Sequence, residues 1–182
     1  MDFSNPRKEP MINLIQLKKA MKIDFTADDA DLLRLLDASV SFVESYTGIS
    51  LDVKTKTDYM AYFMKLSFSG YPFISVTSVT YTSAPSSVVT TMPSTDYWID
   101  RSKDIVSLNF LEYPSMTEGT QIAVTYQYGY ASTPAALDQC VISLVAAWYN
   151  NVEATTPITL SQVPMACMWM LDNLKVRNAV MS

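Results

Sequence analysis

The sequence predicts an α+β protein: a small helical bundle, with three main helices plus a C-terminal helix, carrying an inserted antiparallel β-sheet. Three observations predict it. Apolar residues recur at helical spacing over residues 14–47 and again beyond residue 134. Between them, from Thr57 to Tyr128, the period changes to two. Within that block no helical stretch separates one strand from the next, which predicts a largely antiparallel sheet.

Asn13 is placed to cap a first helix over 14–22, and Gln16 three residues on completes a capping box. Leu14, Leu17, Lys18 and Met21 share one face. A second helix follows over 27–47, with Leu32, Leu36, Val40, Val43 and Tyr46 at helical spacing. Asp28, Asp29 and Asp31 lie in its first turns, where negative charge complements the helix macrodipole. Gly48 supplies a left-handed C-terminal cap.

The β insert spans 57–128. Met60, Tyr62, Met64, Leu66 and Phe68 alternate with Ala61, Phe63, Lys65 and Ser67, which predicts one continuous strand. Ile74 and Val76 are out of phase with Val79 and Tyr81, which predicts a bulge near Thr77–Ser78. The Ser/Thr/Pro-rich run from Ser83 to Ser94 reads as a long exposed loop. Tyr97–Ile99 and Val106–Phe110 are short strands around a turn at Asp100–Asp104. The last strand, 120–128, places Ile122, Val124, Tyr126 and Tyr128 on one face. The opposite faces carry Ser107, Asn109, Ala123, Thr125 and Gln127, with almost no formal charge. Solvated sheets usually carry lysine or glutamate as guards against edge pairing. Two readings therefore stand: an ordinary exposed Thr/Ser face, or a face covered by a neighbouring subunit.

The chain breaks at Gly129 and crosses to Pro134, which follows a Thr133 cap. Proline suits the first helical position because its missing N–H would be unpaired there anyway. The third helix runs over 134–153, with Leu137, Val141, Leu144, Val145 and Trp148 on one face. Residues 155–161 form a linker, and a short helix from Pro164 to about Val176 closes the chain. That helix is apolar nearly all round, so its own domain or a partner must bury it. Its methionines suit an adaptable interface. The organisation is a polar arm at 1–10, a main domain at 11–154, and a linker with a terminal apolar helix at 155–182.

A chain of 182 residues buries about 70% of its extended surface, so it folds without disulfide or metal. Only 17% of residues are charged, and eleven tyrosines and eleven methionines leave much apolar surface to cover. That composition points toward oligomerisation. A net charge of −5 argues against a protein that neutralises nucleic-acid phosphates. Histidine is absent, which removes the commonest general base and metal ligand. Cys140 and Cys167 read as small buried hydrophobes in a reducing compartment. No stretch approaches a membrane span, and the N-terminus has no apolar signal core. The expected setting is the cytoplasm, or a particle assembled there.

No motif carries chemistry. Asp24, Asp28, Asp29 and Asp31 lack the calcium-loop pattern and read as helix-start charge. The four glycines form no phosphate loop. Lys18, Lys19 and Lys22 read as a solvated basic face, and Asp100–Asp104 as a hairpin turn. No catalytic, metal or cofactor residue is assigned.

Taken together, the segments resemble the head–tail connector (adaptor, head completion) proteins of tailed bacteriophages. The resemblance rests on the short helix from Asn13 to Ile23, the acidic turn Asp28–Asp31, and the long helix ending Tyr46-Thr47-Gly48. It continues through the junction Tyr126-Gln127-Tyr128-Gly129-Tyr130, Thr133-Pro134 and Leu137, then Trp148-Tyr149-Asn150, and the Pro164–Arg177 helix. The β insert is longer than is usual in that family, and Asn151-Val152-Glu153 stands where an Asn-Arg-Glu-like run is common. The resemblance implies a structural, non-enzymatic virion protein in a homomeric ring of about twelve subunits beneath the portal. Such a ring extends the channel through which genomic DNA passes without sequence-specific contact, and presents a platform to the next tail component. No membrane or cofactor is involved.

Within that expectation, Met165, Met168, Trp169, Leu171, Leu174 and Arg177 are the candidate portal-facing residues. Ser107, Asn109, Thr125, Gln127, Trp148 and Tyr149 are the candidate subunit interface. Trp169→Ala, or truncation after Ser161, is expected to weaken portal docking while sparing the fold. A tail-tube or other tail module is the alternative reading, and a histidine-free carboxylate hydrolase a more distant one.

Overall fold

A computed structural model describes residues 12–83, 88–102, 106–113, 121–150 and 164–175. It divides into a helical unit, holding residues 12–52, 130–150 and 164–175, and a β unit over 53–129. The class is α+β, with four helices and antiparallel sheets.

In the helical unit α1 is Leu14–Met21, α2 is Asp29–Thr47, α3 is Ala135–Asn150 and α4 is Met165–Leu174. The α1 capping box forms as its sequence demands. Asn13 Oδ1 accepts the Gln16 N–H at 2.8 Å, and Gln16 Oε1 accepts the Asn13 N–H at 3.1 Å. Lys22 ends α1 in the left-handed region at φ 57°, and Gly48 ends α2 at φ 74°. The helices enclose one core, in which Leu17, Leu32, Val43, Leu137, Leu144 and Leu171 are fully buried. Each such side chain contributes roughly 1.5–3 kcal/mol of transfer free energy. Polar ties reinforce the packing: Lys18 Nζ reaches Asp29 at 2.7 Å and the Phe25 carbonyl at 2.6 Å. Lys18 is thus a clamp across the α1–α2 turn and not part of a solvated basic face.

In the β unit the strands are β1 Lys54–Met60, β2 Leu66–Ser67, β3 Phe73–Ser83, β4 Val88–Thr91, β5 Tyr97–Asp100, β6 Ser107–Phe110 and β7 Gln121–Tyr128. They form a four-stranded sheet, β1-β7-β3-β4, and a three-stranded sheet, β2-β6-β5. Their inner faces share a second core that includes Phe68, Val79, Leu108, Ile122, Val124 and Tyr126. Phe68 stacks on Phe73 with ring centroids 4.4 Å apart. The β7 alternation is as the sequence implies, with Ile122, Val124 and Tyr126 at zero exposure. The bulge expected near Thr77–Ser78 is present as a register shift between Val76 and Ser78.

Three expectations are corrected. The β region begins at Lys54, before Thr57. The continuous strand drawn through Met60–Phe68 is two strands in different sheets, because the chain leaves one sheet at Met60 and joins the other at Leu66. Between them Phe63 turns inward and packs edge-on to Phe110 at 5.0 Å, while Tyr62 and Met64 stay exposed. Packing the Phe63 ring against Phe110 overrides simple alternation. The loop drawn over Ser83–Ser94 contains β4, paired to β3 from Thr80↔Thr91 to Ser83↔Val88. Val and Thr favour strands when a neighbouring ladder is available.

Candidate functional site

The acidic residues at the start of α2 do not converge on a common point. Asp28 accepts a short hydrogen bond from the Tyr149 hydroxyl, Asp29 pairs with Lys18, and Asp31 pairs with Arg34 at 3.4 Å. Each carboxylate has its own partner, so none is poised to act on a second. Among the described residues no group of three potential ligands could hold a metal ion.

The β unit contains one polar network that mimics a catalytic pair. Lys56 Nζ donates to Ser69 Oγ at 2.7 Å and pairs with Asp58 at 3.0 Å. The Tyr126 hydroxyl donates to Asp58 at 2.8 Å. The hydrogen bond to Asp58 raises the Lys56 pKa above its usual range, which favours the charged ammonium of an ion pair. The network serves to satisfy the hydroxyl of Tyr126, whose ring is buried.

Two surfaces remain as candidate sites. The first is on α4. Cys167 and Leu171 are buried in the bundle core, and Leu174 packs partly against it. Met165 and Trp169, one helical turn apart, are 65% and 66% exposed. Met168 is half-buried. The helix therefore docks on its own bundle with one face and presents an apolar ridge with the other. Leu171 belongs to the docked face and leaves the partner-facing set, and Arg177 lies outside the described residues. Facing α4 on α3 is Cys140, whose thiol lies 4.0 Å from the Cys167 carbonyl, with the reciprocal contact at 3.8 Å. Burial, with Cys167 alongside, pushes the Cys140 thiol up to about 11, in keeping with an inert core role.

The second surface is the outer face of the four-stranded sheet. Register places Thr57 opposite Thr125, Thr55 opposite Gln127, and Ser78 opposite Thr125. Thr57 and Thr125 hydroxyls are 2.9 Å apart. Thr125 and Gln127 are half-buried on this face, and among the described strand residues no charged side chain shares it. The other proposed interface residues lie elsewhere. Ser107 is 1% exposed, inside its own unit, and Asn109 is half-buried on the three-stranded sheet. Trp148 packs edge-on to Phe42 at 6.2 Å, and Tyr149 bonds Asp28, so both serve the helical unit. Sequence reasoning missed Val88, Val89 and Tyr59, which are 60%, 63% and 66% exposed. The adjacent valines inside a Ser/Thr run were the available signal.

The model of a family described as head completion protein matches residues 11–161. A chain from the neck of an empty gene transfer agent particle, computed with C6 symmetry, superposes with a TM-score of 0.74 at 16% identity, covering 100% of this chain and 97% of that one. A chain from the virion of the native gene transfer agent particle gives 0.74 at 17% identity, with the same coverage. One from the neck of the native particle, computed with C12 symmetry, gives 0.71 at 16%, again covering 100% and 97%. At these identities the likeness is one of fold. No curated protein matches the chain.

Proposed function

Because this chain belongs to the head completion protein family, we propose that it forms a homomeric ring beneath the portal of a phage-like particle, joining head to tail. The ring extends the channel for the genome and offers a platform to the next tail component. Its role is structural, and no reaction is assigned to it.

The observation that carries the portal contact is the geometry of α4. A helix seated by Cys167 and Leu171, yet holding Met165 and Trp169 in solvent, is fixed in place and apolar on its outer face. Tryptophan is enriched among interface hot spots, and this one is held exposed on a seated helix. The charge distribution supports the channel. Among the described residues of the helical unit, nine acids face five bases: Asp24, Asp28, Asp29, Asp31, Asp37, Glu44, Asp52, Asp138 and Asp172 against Lys18, Lys19, Lys22, Arg34 and Lys175. The β unit is balanced, with Asp58, Asp96, Asp100 and Glu112 against Lys54, Lys56, Lys65 and Arg101. A lumen walled by the helical unit would repel DNA phosphates and let the genome slide.

Electron microscopy of the purified chain mixed with the portal of the same particle tests this. Rings with a central hole seated on the portal are expected. Trp169→Ala should weaken that docking by about 2 kcal/mol, roughly thirtyfold in affinity, with the fold intact. Unchanged docking by Trp169→Ala would remove α4 from the contact, and wild-type chains that never seat on portals would end the connector reading. Truncation after Ser161 is a poorer test than the sequence suggested, because it strips Cys167 and Leu171 from the core.

A further inference from the structure

The four-stranded sheet has two outer strands, β1 and β4, and they differ in kind. Among the described elements β4 packs only on β3, and β1 only on β7. All four residues of β4, Val88-Val89-Thr90-Thr91, are exposed, and none is charged, proline or glycine. Free edges are normally blunted by charge, proline or a bulge, because a row of unpaired backbone groups invites another strand. This one has no such guard.

The ladder shows which groups are free. The Met92 N–H bonds the Val79 carbonyl at 2.8 Å, making that pair a hydrogen-bonded one. Such pairs alternate with non-bonded ones in an antiparallel ladder. Thr90 opposite Tyr81, and Val88 opposite Ser83, therefore spend their backbone groups on β3. The N–H and C=O groups of Val89 and Thr91 point away from the sheet.

Strand direction supplies the partner. Every pairing in this sheet is antiparallel, and the strands number four, so β1 and β4 run in opposite directions. A second copy, related by rotation about an axis along the strands, lays its β1 antiparallel to this β4. Its own β4 is then open to the next copy. This is a heterologous contact, the kind that closes into a ring.

We propose that β4 of one copy adds to β1 of the next, so that the four-stranded sheets join edge to edge around the ring. The inference rests on the ring reading above and names the surface that makes it. The side chains agree. Val89 and Thr91 share a face with Thr80 and Thr82, and across the sheet with Tyr59 of β1, so the uncharged face continues over the junction. An inward lysine on an edge strand bars pairing when a neighbour would leave it buried alone. Lys56 is already held by Asp58 and Ser69 of its own chain, so an added strand does not isolate it.

The test uses the full chain assembled on the portal of the same particle. Val89→Pro removes an outward N–H and leaves the β3 ladder whole, and Val89→Lys puts a charge on the shared face. Both should keep the wild-type circular dichroism and melting point while the fraction of portals bearing closed rings falls at least tenfold. Val89→Cys, combined in turn with Thr55→Cys, Thr57→Cys and Tyr59→Cys, should give covalent ladders beyond the dimer on mild oxidation for at least one pair. Cys140 and Cys167 are buried and do not compete. Rings at wild-type frequency from both Val89→Pro and Val89→Lys would overturn the β4 contact while leaving the ring reading intact. Dimers from Val89→Cys alone, without ladders from any double variant, would replace it with a two-fold β4–β4 contact. Wild-type chains that form no ring on the portal would overturn both readings.

Discussion

Asp138 sits in the first turn of α3, where the helix dipole favours a carboxylate, yet one of its oxygens is buried without a partner. Burial raises its pKa above the usual 3.8, and a hydrogen bond from Thr133 only partly opposes that. The sign follows from linkage. An acid that holds its proton more tightly when folded contributes most below its unfolded pKa, and that contribution is lost as pH rises through the folded value. Asp138→Asn should therefore flatten the stability profile from pH 4 upward and melt at or above the wild type at pH 7. Thermal melts across that range would measure it. A clear fall in melting point at pH 7 would show that the dipole outweighs desolvation at this site. Asp138 falls in the first turns of the helix that the sequence predicts from Pro134, but its buried oxygen depends on packing that no local pattern encodes.

At the scale of elements, the legible features were those whose cause is local. The Asn13–Gln16 capping box, the Gly48 cap and the β7 alternation each involve residues within a few positions of one another. The break after Met60 and the β4 strand were hidden because each depends on a distant partner, Phe110 for Phe63 and β3 for β4. The Tyr149–Asp28 and Tyr46–Asp172 hydrogen bonds tie α3 to the start of α2 and α2 to α4 across more than a hundred residues. In both, the hydrogen bond to the carboxylate raises the tyrosine pKa above its ordinary 10.0. One helix end departs from its preferred residue. Lys22 adopts the left-handed conformation that closes α1, a region that penalises a Cβ. Lys22→Gly should raise stability by about 0.5–1 kcal/mol, read as a higher denaturant midpoint with unchanged slope. A lower midpoint would mean that Lys22 contributes through contacts of its side chain.

The whole molecule is two cores on one chain, and its candidate surfaces divide between them. The apolar ridge of α4 and the acidic excess belong to the helical unit, while the bare β4 edge and uncharged face belong to the β unit. The sequence made the insertion visible through its change of period, but not the free edge, since exposure on a sheet is decided by strand order. The β unit enters and leaves the chain through one antiparallel pair, with Lys54 opposite Tyr128. In the helical unit the Tyr130 N–H reaches the Ser50 carbonyl at 3.3 Å, so the points flanking the insertion are already adjacent. Short connections between adjacent ends add little entropy cost, and insertions at such points are separable when each part has its own core. Replacing residues 53–129 with a flexible linker of about four residues should leave a helical protein that melts cooperatively within roughly 10 °C of the parent. By the division of surfaces, that protein should still seat on the portal through Trp169 but fail to join its neighbours into a closed ring. Circular dichroism and electron microscopy of the shortened chain check the two halves separately. An unfolded product would show that the helical core depends on the β unit, and closed rings without the β unit would place the lateral contact on the helices.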